Sequence, residues 1–133
     1  LEIDYPTISL SDLLLEKLQI VHINEKDIKD GITLLRAHAV ADNDKETVNV
    51  RRISDLLSDD WGFWYTAKTN LGKVQEFLGE YKGLTETDRQ DIKSKIEILL
   101  KRIEDEPKSL KWKMRSKIGT SKKWYTEVEE LAR

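Results

Sequence analysis

Ser9-Leu10-Ser11-Asp12-Leu13-Leu14-Leu15-Glu16-Lys17-Leu18 opens a stretch that continues through Asn24-Glu25-Lys26-Asp27-Ile28-Lys29-Asp30-Gly31 to Ala39, and its reading decides the fold. Two helical hydrophobic periods separated by a polar corner predict two amphipathic helices. Ser9 is a good cap for the first, with Asp12 three residues on in the reciprocal position. At about 100° per residue, Leu10, Leu13, Leu14, Leu18 and Val21 share one face, and Lys17 falls near its middle. Its stem can lie along the core while the ammonium reaches water. Alternatively the stripe borders a cleft in which the ammonium meets an anion, because an unpaired buried ammonium is costly.

Asn24 caps the second helix, with Asp27 at the third helical position. Ile28, Ile32, Leu35 and Ala39 form its apolar stripe, and Gly31 lies on the same side. A glycine inside a helix costs about 1 kcal/mol relative to alanine, so a close helix contact is expected at Gly31. Asp27 and Asp30, three apart, are surface neighbours on a different face from Ile28 and Ile32. On spacing alone, Asp27 supports the helix N-terminus and Asp30 is solvated.

Asp12-Leu13-Leu14-Leu15-Glu16-Lys17-Leu18 followed by Asn24-Glu25-Lys26-Asp27-Ile28-Lys29-Asp30 resembles the helices that follow the catalytic core in nucleotidyltransferase-like proteins of the abortive-infection toxin type and their prokaryotic relatives. Asp59-Asp60-Trp61-Gly62 and Lys111-Trp112-Lys113-Met114-Arg115 to Trp124-Tyr125 are also similar to those relatives, so the likeness covers much of the chain. The resemblance implies that Lys17, Lys26, Asp27 and Asp30 help line a nucleotide cleft. It also implies a Gly-Ser turn and a strand-borne aspartate pair that hold Mg²⁺ and a nucleoside triphosphate. This sequence carries neither. Asp42-Asn43-Asp44 has spaced aspartates but lacks the Gly-Ser turn and reads as a loop. The resemblance therefore implies the helical, C-terminal part of a larger protein whose chemistry lies before Leu1, an expectation with which a first residue other than Met agrees.

A chain of 133 residues is one domain's worth. It is 36% charged, yet its net charge is only −2, so no bulk field draws it to nucleic acid or an anionic membrane. The absence of cysteine excludes disulfides and thiol chemistry and fits a cytoplasmic protein. No apolar run approaches the roughly 18 residues that span a bilayer, so no membrane partner is expected.

Before the helical pair, Leu1-Glu2-Ile3-Asp4-Tyr5 alternates apolar and polar residues up to Pro6, which predicts a half-buried strand. It would complete a sheet lying outside this chain, pair with another copy, or fray as a terminus. No second strand is predicted, and Val40 to Thr47 reads as a polar loop. Asn49 caps a short helix carrying Val50, Ile53 and Leu57. Ser58 is expected to begin the next, through the dense aromatic run Trp61, Phe63, Trp64 and Tyr65. Core packing suits these rings better than base or sugar stacking. The pattern resumes through Leu71, Val74 and Leu78, with a break allowed at Thr69 or Asn70. Thr85, with Asp88, caps a helix whose apolar face is Ile92, Ile96, Leu99 and Ile103, and Pro107 ends that element.

Seven basic residues, Lys108, Lys111, Lys113, Arg115, Lys117, Lys122 and Lys123, follow with no acid among them. Interleaved with Trp112 and followed by Trp124 and Tyr125, they suit phosphates and stacked bases. They are equally a solvated face that balances acidic segments elsewhere.

These observations predict a mostly α helical bundle, residues 1–133 forming one domain with one N-terminal strand. The expected function is the helical half of a nucleotidyltransferase-like protein, catalytically silent alone, presenting Lys17, Lys26, Asp27, Asp30, Lys113 and Arg115 to a nucleotide or RNA. Its partner would be the N-terminal catalytic domain. The alternative is a helical interaction module that binds a protein through its aromatic face and has no enzymatic role.

Overall fold

The computed structural model describes residues 9–125 and is mostly α. The expected strand Leu1–Tyr5 lies outside the described residues.

Helix α1 (Leu10–Leu18) begins where the Ser9 side chain accepts a hydrogen bond from the Asp12 amide. It stops at Leu18, short of Val21, and its buried residues are Ser11, Leu14, Leu15 and Leu18. The buried face is therefore turned from the expected stripe: Leu15 is inside, while Leu10 and Leu13 are half-buried. Ser11 draws the helix round, because its hydroxyl accepts the Asn49 amide at 2.7 Å. Helix α2 (Glu25–Ala37) carries a full capping box between Asn24 and Asp27. It ends two residues before Ala39, which belongs to a strand. Gly31 is buried, yet a Cβ built there meets no atom of the described residues within 4 Å, so no close contact with a described helix holds a glycine at this position.

The stretch expected as a loop contains a small sheet. β1 (Ala39–Ala41) and β2 (Thr47–Asn49) run parallel, with Ala39 opposite Thr47 and Ala41 opposite Asn49. Parallel strands usually need a crossover of a dozen or more residues. Five suffice here because each strand is only three residues long and the chain has little distance to retrace. The return is made by local bonds. The Asn43 side chain accepts the Lys45 amide at 2.9 Å, the Glu46 amide donates to the Asp44 carbonyl at 2.8 Å, and the Thr47 hydroxyl donates to the Asn43 carbonyl. Glu46 takes a φ of 58°, the left-handed turn that closes the loop. An Arg102–Asp42 ion pair of 2.9 Å ties this loop to α5, the long helix Glu86–Asp105.

Helix α3 (Val50–Leu57) starts at the Asn49 side chain, which accepts the Arg51 and Arg52 amides. Ser58 caps its C-terminal end rather than opening the next helix. Helix α4 (Trp61–Leu78) is instead capped by Asp60, whose carboxylate accepts the Phe63 amide, and it runs unbroken through Thr69 and Asn70. α5 begins at the expected Thr85 cap and ends at Asp105, two residues before Pro107. It packs on α2, α3 and α4, and its Ile92, Ile96, Leu99 and Ile103 close the core formed with Leu14, Leu18, Ile32, Leu35, Ile53, Leu57 and Leu71. Helix α6 (Leu110–Ser116) buries none of its residues and leans on α4. Among the described residues no helix is long and apolar enough to cross a membrane.

Candidate functional site

The corner between α1 and α2 folds Lys17, in the last turn of α1, onto the first turns of α2. Its ammonium lies 3.0 Å from Asp30 Oδ2 and 3.5 Å from Asp27 Oδ1, and Lys26 reaches the same Asp30 oxygen at 3.3 Å. Two cations and two carboxylates therefore meet at one place, with no net charge among them. Asp27 is nearly buried and its other oxygen accepts the Asn24 amide at 3.3 Å, so it serves the cap and the ion cluster together. The hydrogen bond from Lys17, and secondarily that from Lys26, holds the Asp30 carboxyl below its ordinary range, and Asp30 in turn raises the Lys17 ammonium. Lys17 thus meets an anion supplied by the chain itself.

The basic C-terminal stretch is organised differently. Lys108 folds back on the end of α5, its ammonium donating to the carbonyls of Ile103, Glu104 and Glu106 at 2.7–3.1 Å. This satisfies acceptors that every helix C-terminus leaves free. Arg115 donates to the carbonyls of Gly119 and Lys122 at 2.8 and 2.7 Å and lies 4.9 Å above the Trp61 ring. Lys111 reaches Asp59 at 3.5 Å, whereas Lys113 is exposed. The two groups of expected residues are held separately: Lys17, Lys26, Asp27 and Asp30 in one cluster, Arg115 in its own turn, and Lys113 in solvent.

The aromatic run is a seam rather than a free face. Trp61 is buried and stacks on Tyr65 at 5.2 Å, and Trp124 meets both edge-on at 5.9 and 5.1 Å. Trp64 meets Trp112 of α6 edge-on at 5.0 Å. Gly62 permits this closure, because a Cβ there would stand 2.9 Å from Trp124 Cβ. Trp124 Nε1–H donates to the Thr66 hydroxyl at 2.8 Å. A partly open concavity of about 190 Å³ remains at this end, lined in part by Gln19, Asp60, Thr66 and Tyr125. Lys17 does not line it.

Sequence reasoning missed two residues that position these parts. Asn70, almost fully buried in α4, donates to the carbonyls of Leu18 and Ile20 at 2.9 and 2.8 Å and so finishes α1. Its signal was present: it falls in phase with Ala67, Leu71, Val74 and Leu78, and a polar residue on a buried stripe demands bonding partners. Arg89 donates to the carbonyls of Leu78 and Tyr81 at 2.8 and 2.7 Å and finishes α4. Nothing in the sequence marks it.

Chemically, the α1–α2 cluster offers two ammoniums to an anion. Each of its carboxylates has an ammonium within 3.5 Å. Among the described residues no group of three or more His, Cys, Asp or Glu is arranged to hold a metal ion. No family model, curated protein or solved structure matches this chain.

Proposed function

We propose that this chain is the helical half of a nucleotidyltransferase-like protein, that the α1–α2 corner closes one side of a nucleotide cleft, and that Lys17 meets phosphate there. One observation carries the reading. Lys17, Lys26, Asp27 and Asp30, which the resemblance alone assigns to the cleft, come from two helices and converge within 3.5 Å contacts. The acidic partners keep Lys17 charged and aimed while no ligand is present. The pairs to Asp30 lie at the surface and are worth only about 0–1 kcal/mol each, so a phosphate can take the ammonium from Asp30 at little cost. Lys26, its side chain 81% exposed, is free to follow. Mg²⁺ and the triphosphate would be held by the N-terminal catalytic domain, and this chain alone transfers nothing.

The test measures binding of a nucleoside triphosphate by the chain together with whatever its gene encodes before Leu1. Lys17→Ala is expected to weaken binding about tenfold while Lys93→Ala, an exposed lysine elsewhere on α5, leaves it unchanged. Equal affinities in both variants overturn the reading. Metal-dependent transfer by residues 1–133 alone would also overturn it. The other reading, an interaction module that binds a protein through its aromatic face, finds those rings closed on one another in the seam.

A further inference from the structure

We propose that the outer face of α6 docks an acidic, amphipathic helix of a protein partner. Among the described residues five large hydrophobics are exposed, and three of them belong to this one short segment: Leu110 at 73%, Met114 at 60% and Ile118 at 46%. Their spacing of four places Leu110 and Met114 on one side of the helix, with Ile118 continuing the line just past its end. Clustered apolar exposure of this kind marks an interaction surface, whereas scattered single residues do not.

The opposite side of α6 is fixed. Trp112 packs on Trp64, Arg115 covers Trp61, and the Ser109 amide donates to the Ser58 carbonyl at 3.0 Å. The stripe is thus presented in a set orientation, which lowers the ordering cost of binding.

Charge selects the occupant. Lys113 and Lys117 flank the stripe, exposed and without an acidic partner among the described residues, and no acid occurs between Lys108 and Lys123. An RNA would need rings to stack on, but Trp112 and Trp124 are engaged edge-on in the seam. A second copy docking α6 on α6 would oppose Lys113 and Lys117 to themselves, and like charges across an interface cost several kcal/mol. An apolar stripe rimmed by lysines fits a helix with leucine-type anchors and a glutamate-rich rim.

The experiment uses the full chain and a fluorescein-labelled synthetic helix with leucine at every third or fourth position and glutamate elsewhere. A second peptide carries lysine in place of glutamate. Anisotropy should show binding of the glutamate peptide only, weakening as salt rises. Leu110→Asp with Met114→Asp should reduce affinity about tenfold or more. Lys113→Glu with Lys117→Glu should reverse the preference, so that the lysine peptide now binds. Because α6 buries none of its residues, these variants keep the fold, which far-UV circular dichroism checks. Three results overturn the proposal: no binding of the glutamate peptide, binding of a short RNA in its place that the lysine changes abolish, or self-association that Leu110→Asp removes. Nucleotide binding at Lys17 enters none of these measurements, so the two proposals fail separately.

Discussion

The α1–α2 corner and the seam between α4 and α6 both hold cations close to partners, and they do so by different physics. At the corner, ammonium meets carboxylate: Lys17 and Lys26 lie against Asp27 and Asp30 in a neutral group at the protein surface. In the seam, cations meet carbonyls and rings: Lys108 closes the end of α5, and Arg115 grips its own turn while covering Trp61. The corner can yield its cations to an incoming anion at Asp30, because the pairs there lie at the surface and are weak. The seam gives up Lys108 or Arg115 less readily, because the part-buried carbonyls of Ile103, Glu106 and Gly119 would lose their donors. Density of basic residues in a sequence therefore says little about availability; the partner decides it.

Asn70 joins the two regions, since it sits in α4 and finishes α1. Asn70→Leu strands the Leu18 and Ile20 carbonyls and should lower stability by about 3 kcal/mol, read as a lower urea midpoint with unchanged slope. A loss under about 1 kcal/mol would mean that water replaces both bonds and that the regions are less coupled than the geometry implies.

Gly62→Ala attacks the seam alone. The added Cβ would lie 2.9 Å from Trp124 Cβ, a main-stem atom with little room to yield. A cost of about 1–3 kcal/mol is expected, together with a changed tryptophan near-UV signal as Trp124 leaves Thr66. An unaltered near-UV spectrum would show that the approach of Trp124 to α4 is not as close as described.

Gly31→Ala is the counterpart at the corner, with the opposite sign. The position is buried and helical, and a Cβ there touches nothing among the described residues. Alanine should therefore raise stability by about 0.5–1 kcal/mol. Destabilisation would restore the tight helix contact that the sequence suggested.

Lys17→Met should have the smallest effect, about 0–1 kcal/mol, and its pH dependence is the sharper readout. Lys17 depresses the Asp30 carboxyl, so its stabilisation is present above the unfolded value of about 4 and is lost as pH falls through the lower folded value. The Lys17 ammonium is raised, so its share is present below its unfolded value, about 10.4, and is lost as pH rises through the higher folded one. The difference between parent and variant should be flat near neutrality and shrink at both extremes. A difference that persists at pH 2 would assign the effect to packing of the lysine stem.

Elements whose start is written in a side chain were legible in the sequence: Ser9, Asn24, Asn49 and Thr85 each cap the helix expected of them. The two strands were not. Ala39–Ala41 and Thr47–Asn49 are too short to show alternation, and their connection is shorter than parallel pairing normally allows. The face of α1 was misjudged because Ser11, bonded to the Asn49 amide, is buried for its hydroxyl and not for hydrophobicity. At the candidate site, the adjacency of Asp27 and Asp30 follows from helical spacing. Their meeting with Lys17 depends on the corner, which no period encodes. Lys108, Arg115 and Arg89 each bond backbone carbonyls, which every residue carries and no letter distinguishes.

α6 is attached by polar bonds and ring edges, and none of its residues is buried. The free energy needed to detach it is therefore a local quantity, smaller than that needed to open the core of α1 to α5. Its amides should exchange with solvent deuterium through an opening that leaves α5 protected. Opening confined to α6 would mark it as a cooperative unit of its own, and exchange slowed there by the acidic helix would report docking.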